Sequence, residues 1–151
     1  PSTRHGDHQV GGFHIITQMS KGLNAFATSR AFDYIAGLPG QKELFLMIND
    51  QACEKRWSEN VCWLYDTDFD TLRDPSVKHV LIGGTRCEDL ALRLILADVP
   101  QEKLKLYPDY GTLERELAAQ VADEPTVAIY FELYAQSIAN RLRNALAQAA
   151  K

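Results

Sequence analysis

The chain has 151 residues, 46% hydrophobic and 24% charged, which is the size and mix of one globular domain and argues against disorder. A net charge of −4 speaks against a general nucleic-acid or anionic-membrane binder, and no run has the length of a spanning helix or the make-up of a signal peptide. Cys53, Cys62 and Cys87 cannot all pair internally and lack zinc-site spacing, so a reducing cytoplasm is the simpler setting, while a start at Pro1 with no Met points to a piece of something longer.

Residues 1–12, PSTRHGDHQVGG, are polar and contain glycine, and are expected to be a flexible tail or linker end, leaving 13–151 as a single domain. Phe13 to Thr17 is the first strand candidate. A stripe of Leu23, Phe26, Ala27, Ala31, Tyr34, Ile35 and Leu38 follows helical spacing, with Asn24 as N-cap and Gly37, Pro39 and Gly40 as the stop. Leu44 to Ile48 is a continuous apolar run, as in a strand covered on both faces. From Asn49 to about Val77 the pattern is irregular, with Trp57, Trp63, Tyr65 and Phe69 set among aspartates; that is long for an idle connection.

Alternation then resumes. Val80 to Ile82 predicts a strand that ends in Gly83-Gly84, and Thr85 with Glu88 predicts a capping box for a helix running to about Asp98. A short strand over Leu104 to Tyr107, a helix over Tyr110 to Ala122 and a strand over Thr126 to Phe131 follow. An Ala-rich helix closes the chain, with Ala135, Ile138, Leu142, Leu146 and Ala149 on one face. The order implies an α/β fold: a three-layer, Rossmann-like domain with a mostly parallel sheet of about five strands and helices on both faces. Ligands of such sheets bind beyond the carboxyl ends of the strands.

Two segments at those ends can carry chemistry. Gly83-Gly84-Thr85-Arg86 joins a tight turn, a helix start with unpaired N–H groups and a fixed positive charge, so it suits an anion or a contact with another domain. It is neither a P-loop nor a dinucleotide fingerprint, and the bland alternative pairs Arg86 with Glu88 or Asp89. In the acidic stretch, Asp50 ends a buried strand, while Asp66, Asp68 and Asp70 follow Trp63-Leu64-Tyr65. Carboxylates there can orient a histidine, hold magnesium or act as bases; caps and Asx turns are the structural alternative. The spacing lacks the Gly and distal Glu of a calcium loop, and no metal site is expected. His5 and His8 fall in the tail, and His14 and His79 in or beside strands, with no nucleophile–base pair in evidence.

Read in order, these segments resemble the C-terminal domain of MurT-type Mur ligases, over roughly residues 13 to 146. The resemblance rests on Gly22-Leu23-Asn24 at the first helix start, Asn49-Asp50 and Trp63-Leu64-Tyr65-Asp66-Thr67-Asp68-Phe69. It rests also on the run from Gly84-Thr85-Arg86 through Asp89 and Ala91 to Arg93-Leu94, and on Tyr134-Ala135 with Arg141. Departures stand at Gln18-Met19-Ser20, where the family has Lys-Asn-Pro, at Cys53-Glu54-Lys55, and at Asn60 in place of an aspartate.

The resemblance implies the C-terminal lobe of an ATP-dependent amide ligase that amidates the D-glutamate of lipid II in peptidoglycan precursor synthesis. ATP and Mg would be bound mainly outside this domain, by an upstream Mur central ATPase domain. The partner implied is a GatD-like glutaminase, whose Cys–His triad an aspartate of this domain would complete; with Asn60 in the family position, Asp50 and Asp66 are the candidates. Gly84, Thr85, Arg86 and Asp89 would form an anion or interdomain contact, and without a Walker A motif the chain would be inactive alone. The competing expectation is a non-catalytic α/β binding module that uses the Gly84–Arg86 turn. A flavodoxin-like flavin binder is a third.

Overall fold

Val10-Gly11-Gly12-Phe13 is a hairpin sequence: two glycines between residues that can face each other across a strand pair, with Gly11 at a φ of 58°. In the computed structural model, which describes residues 3–20, 24–47, 62–121, 126–132 and 135–149, β1 (Thr3–Val10) folds back antiparallel on β2 (Phe13–Ser20). The expected tail is therefore largely an edge strand. Its polar composition misled because an edge strand needs no continuous apolar face: His5, Asp7 and Gln9 are exposed, while Gly6, His8 and Val10 are half-buried. Asp7 takes a hydrogen bond from His14 Nε2 across the hairpin at 2.7 Å.

The other strands and the α-helices among the described residues are α1 (Ala25–Gly37), β3 (Lys42–Met47), β4 (Val77–Gly83), α2 (Cys87–Leu96), β5 (Leu104–Tyr107), α3 (Tyr110–Val121), β6 (Thr126–Glu132) and α4 (Gln136–Ala149). Among the described residues the sheet has six strands rather than about five, in the order β1-β2-β6-β3-β4-β5, and all pairs but β1–β2 are parallel. Strand alternation divides the core in two. Leu44, Leu46, Val80, Ile82 and Tyr130 face α1 and α2; Phe45, Met47, Leu81, Ile129 and Phe131 face α3 and α4. Every residue of β3 and β6 is buried, as in a sheet covered on both sides.

Asn24 caps α1 as its sequence predicts, its side chain accepting from the Ala27 N–H at 3.0 Å. The buried face is Thr28, Ala31, Phe32 and Ile35, so Ala31 and Ile35 of the predicted stripe are buried as expected, while Phe26 and Tyr34 stand 77% and 42% exposed and Thr28 and Phe32 take their place. A buried bond between the Thr28 and Tyr130 hydroxyls, 2.8 Å long, helps fix this rotation of the helix. The expected capping box on α2 is absent: Arg86 takes the N-cap position and makes no side-chain cap bond, because the turn closes one step earlier through Cys87 N–H to Gly84 O at 3.1 Å.

At the start of β3, buried Lys42 donates to Ala36 O at 3.1 Å and Ser76 Oγ at 2.8 Å, and burial lowers its pKa. Beside it, Glu43 accepts from His79 Nδ1 at 2.8 Å, so this histidine serves the amino end of the sheet.

Asp109 caps α3. Its carboxylate accepts from Thr112 Oγ1 and from the Gly111 and Thr112 N–H groups, and these bonds, led by the Thr112 side chain, hold its pKa below the ordinary carboxylate value. The folded pKa lies below the unfolded one, so the cap's contribution is complete above the unfolded value and is lost as pH falls through the folded one. Asp109→Ala is expected to lower the melting temperature at neutral pH. The gap from the parent should narrow on acidification, as followed by thermal unfolding at stepped pH.

Candidate functional site

Strand β4 brings the Gly83–Arg86 turn to the carboxyl edge of the sheet, and each glycine there has its own cause. Gly83 lies against the Tyr110 ring, where a Cβ would come within 2.4 Å of Cε1. Gly84 has a φ of 108°, which side-chain-bearing residues rarely adopt, and its N–H donates to Tyr107 O at 3.1 Å, tying the turn to the end of β5. Gly83→Ala is expected to cost about 1–3 kcal/mol through overpacking, measured by urea unfolding.

Arg86 Nε donates to Asp89 Oδ2 at 2.5 Å, and Thr85 stands exposed beside them. The first turn of α2 thus sets two carboxylates, Glu88 and Asp89, against one guanidinium. Those carboxylates favour the helix dipole but oppose a highly charged anion. Cys87, at the same helix start, is buried; that burial, with the Glu88 charge adding to it, pushes its thiol pKa up, away from a reactive thiolate.

The Trp63–Phe69 segment packs against both α1 and α2. It is built from a 3-10 turn over Cys62–Asp66 and sinks Leu64 and Phe69 into the core, with Trp63 half-buried against it. Arg93, on the third turn of α2, holds it in place. Its Nε donates to Leu64 O at 3.0 Å and its Nη2 to Thr67 O at 3.1 Å, while the guanidinium lies 5.7 Å from the Tyr65 ring centre and 5.1 Å from that of Phe69. From the other side, Ser29 Oγ on α1 accepts the Asp68 N–H at 2.8 Å. Asp68 accepts the Asp70 N–H at 2.8 Å and Asp70 pairs with Arg73 at 3.1 Å, so both act in local turns. Asp66 ends the 3-10 turn with its side chain exposed. Asp50, Asn49, Asn60 and Gly22 lie outside the described residues.

The structure thus brings Gly84, Thr85, Arg86 and Asp89 together at one turn and secures the Asp66 segment to the same helix two turns on. Arg93 enters the sequence analysis only as a motif position with no role: its partners lie 26 and 29 positions upstream, and no local spacing signals them. Among the described residues, no group of three or more His, Cys, Asp or Glu side chains is placed to hold a metal ion. No helix among them is long and apolar enough to cross a membrane.

The described residues form a mostly parallel six-stranded sheet with helices on both faces and an N-terminal hairpin on its edge. The structure of UDP-N-acetylmuramoylalanyl-D-glutamyl-2,6-diaminopimelate--D-alanyl-D-alanyl ligase from Acinetobacter baumannii superposes with a TM-score of 0.52 at 12% identity, covering 92% of this chain and 28% of that one. Residues 23–135 match the family model described as MurT ligase C-terminal, and the chain belongs to that family. Two relatives, the MurT subunits of lipid II isoglutaminyl synthase (glutamine-hydrolyzing) from Staphylococcus aureus strains COL and N315, are each 39% identical over 62 residues. That match covers 41% of this chain and 14% of each relative, so the chain spans a small part of their length.

Proposed function

We propose that this domain is the C-terminal lobe of a cytoplasmic Mur-type ligase that amidates the D-glutamate of lipid II with ammonia from a GatD-like glutaminase. The observation that carries this reading is the Arg93 clamp: it joins the Trp63–Phe69 and Gly84–Leu94 motifs into one bonded unit, with Asp66 exposed at its rim. A carboxylate on a fixed segment can orient a histidine of a partner subunit and stabilise its charged form, which is what a Cys–His pair needs from a third group. Asp66 is the described candidate for that role, and Asp50 the other.

ATP and Mg would supply activation of the D-glutamate carboxyl in the complete enzyme. The Gly84–Arg86 turn is poorly suited to hold a triphosphate by itself, since its guanidinium is bonded to Asp89 and flanked by Glu88. We therefore assign Gly84, Thr85, Arg86 and Asp89 to contact with the central ATPase domain, where a mixed-charge turn can exchange hydrogen bonds.

Adding the chain to the glutaminase subunit of the same organism tests the reading. The two should copurify, and glutamine hydrolysis should rise. Asp66→Asn or Asp50→Asn, whichever serves the triad, should remove at least about 90% of that stimulation, the scale of a lost orienting carboxylate. Absence of both binding and stimulation would overturn the proposal.

A further inference from the structure

A cavity of about 540 Å³, within the range of small-molecule sites, opens between the β1–β2 hairpin and the outer face of α1. Its long wall is one helix face. Phe26, Arg30 and Tyr34 follow at four-residue intervals, and Ala27 and Ala31 lie between them. The two aromatic residues are therefore about 12 Å apart along the helix axis, at 1.5 Å per residue, with Arg30 and the methyl groups of Ala27 and Ala31 in the interval. His5 and Gln18 close the hairpin side. Gln18, 7% exposed, donates through Nε2 to His5 Nδ1 at 3.4 Å, which leaves Nε2 as the donor of that ring, and the His5 ring meets Tyr34 edge-on at 5.4 Å.

The chemistry of this lining is selective. Two exposed rings offer stacking faces, and Phe26 at 77% exposure is a large apolar surface left in water. Arg30 stands midway between them as a fixed cation. Its partner Asp33 is 3.8 Å away with both side chains well exposed, a pairing weak enough for a better-placed anion to displace. No carboxylate is among the described residues that line the cavity, in a chain whose net charge is −4.

We infer that this trough binds a planar aromatic compound carrying one anionic group, its rings stacked along α1 between Phe26 and Tyr34 and its charge on Arg30. The site lies on the hairpin side of α1, apart from the Arg93-clamped segment, and does not depend on the ligase reading.

The probe is 1-anilinonaphthalene-8-sulfonate, titrated into the full 151-residue chain and followed by its fluorescence, beside the uncharged N-phenyl-1-naphthylamine. One saturable site for the sulfonate is expected, with weaker binding of the neutral analogue. Arg30→Glu and Phe26→Ser, both at exposed positions, should each weaken the sulfonate about tenfold or more, the equivalent of one lost specific contact. The double variant Leu92→Ser/Ile95→Ser, which strips the apolar groove between α2 and β5, should bind as the parent does. Circular dichroism confirms that each variant is folded. The inference is overturned if binding is not saturable, if it survives Arg30→Glu and Phe26→Ser, or if only the α2 double variant removes it.

Discussion

Phe32→Ala is expected to destabilise the domain by about 4 kcal/mol, the usual cost of deleting a buried aromatic ring. Phe32 is fully buried, with ring centres of Phe69 and Tyr130 at 5.4 and 5.3 Å, so it is where α1, the acidic segment and the central strand β6 meet. For a chain of this size the loss corresponds to a melting point lower by about 8–16 °C. Urea unfolding should show the midpoint moving with little change in slope. Phe26→Ala on the same helix is the matched control. Its ring is in solvent, and the change should stay within about 0.5 kcal/mol.

Arg93→Met should cost about 2–4 kcal/mol, since it keeps the apolar stem but removes two charge-assisted hydrogen bonds to main-chain carbonyls. Arg93→Lys should recover less than half of that, because an ammonium cannot reproduce the planar fork or its stacking on Tyr65 and Phe69. The diagnostic readout is local. The Thr67 amide, bonded to Leu64 O at 3.3 Å, should exchange its hydrogen far faster in Arg93→Met than in the parent, while amides of β3 and β6 keep most of their relative protection. If Asp66 serves a glutaminase, the same variant should lose stimulation while retaining the carboxylate. An unchanged Thr67 exchange rate would remove Arg93 from its positioning role.

The parallel sheet was legible because its central strands are long apolar runs and its helices announce themselves by spacing and by a cap such as Asn24. The hairpin strand β1 was not, since polar residues suffice at an edge and only the Gly-Gly turn betrays it. The face of α1 was legible only in part, at Ala31 and Ile35, for a different reason. Phe26 and Tyr34 fit a helical stripe as well as Thr28 and Phe32 do, and the choice is made by a hydroxyl on β6, about a hundred residues away. For the site, the motifs marked the right segments: the Gly84–Arg86 turn and the Trp63–Phe69 run both lie against α2. What joins them is a guanidinium bonded to distant backbone, and no periodicity records such a contact. Asp66 was legible as an acidic residue after an aromatic triplet, but its exposure beside two locally bonded aspartates emerges only in three dimensions.

The strand order also fixes when the domain can form. β6, the last strand among the described residues, lies between β2 and β3, which do not pair with each other. During synthesis the amino-terminal hairpin and the β3-β4-β5 half must wait as separate, half-covered units until residue 132 has left the ribosome. A nascent chain arrested before Thr126 therefore exposes apolar edges on both halves. Chaperone demand should fall sharply once β6 can insert.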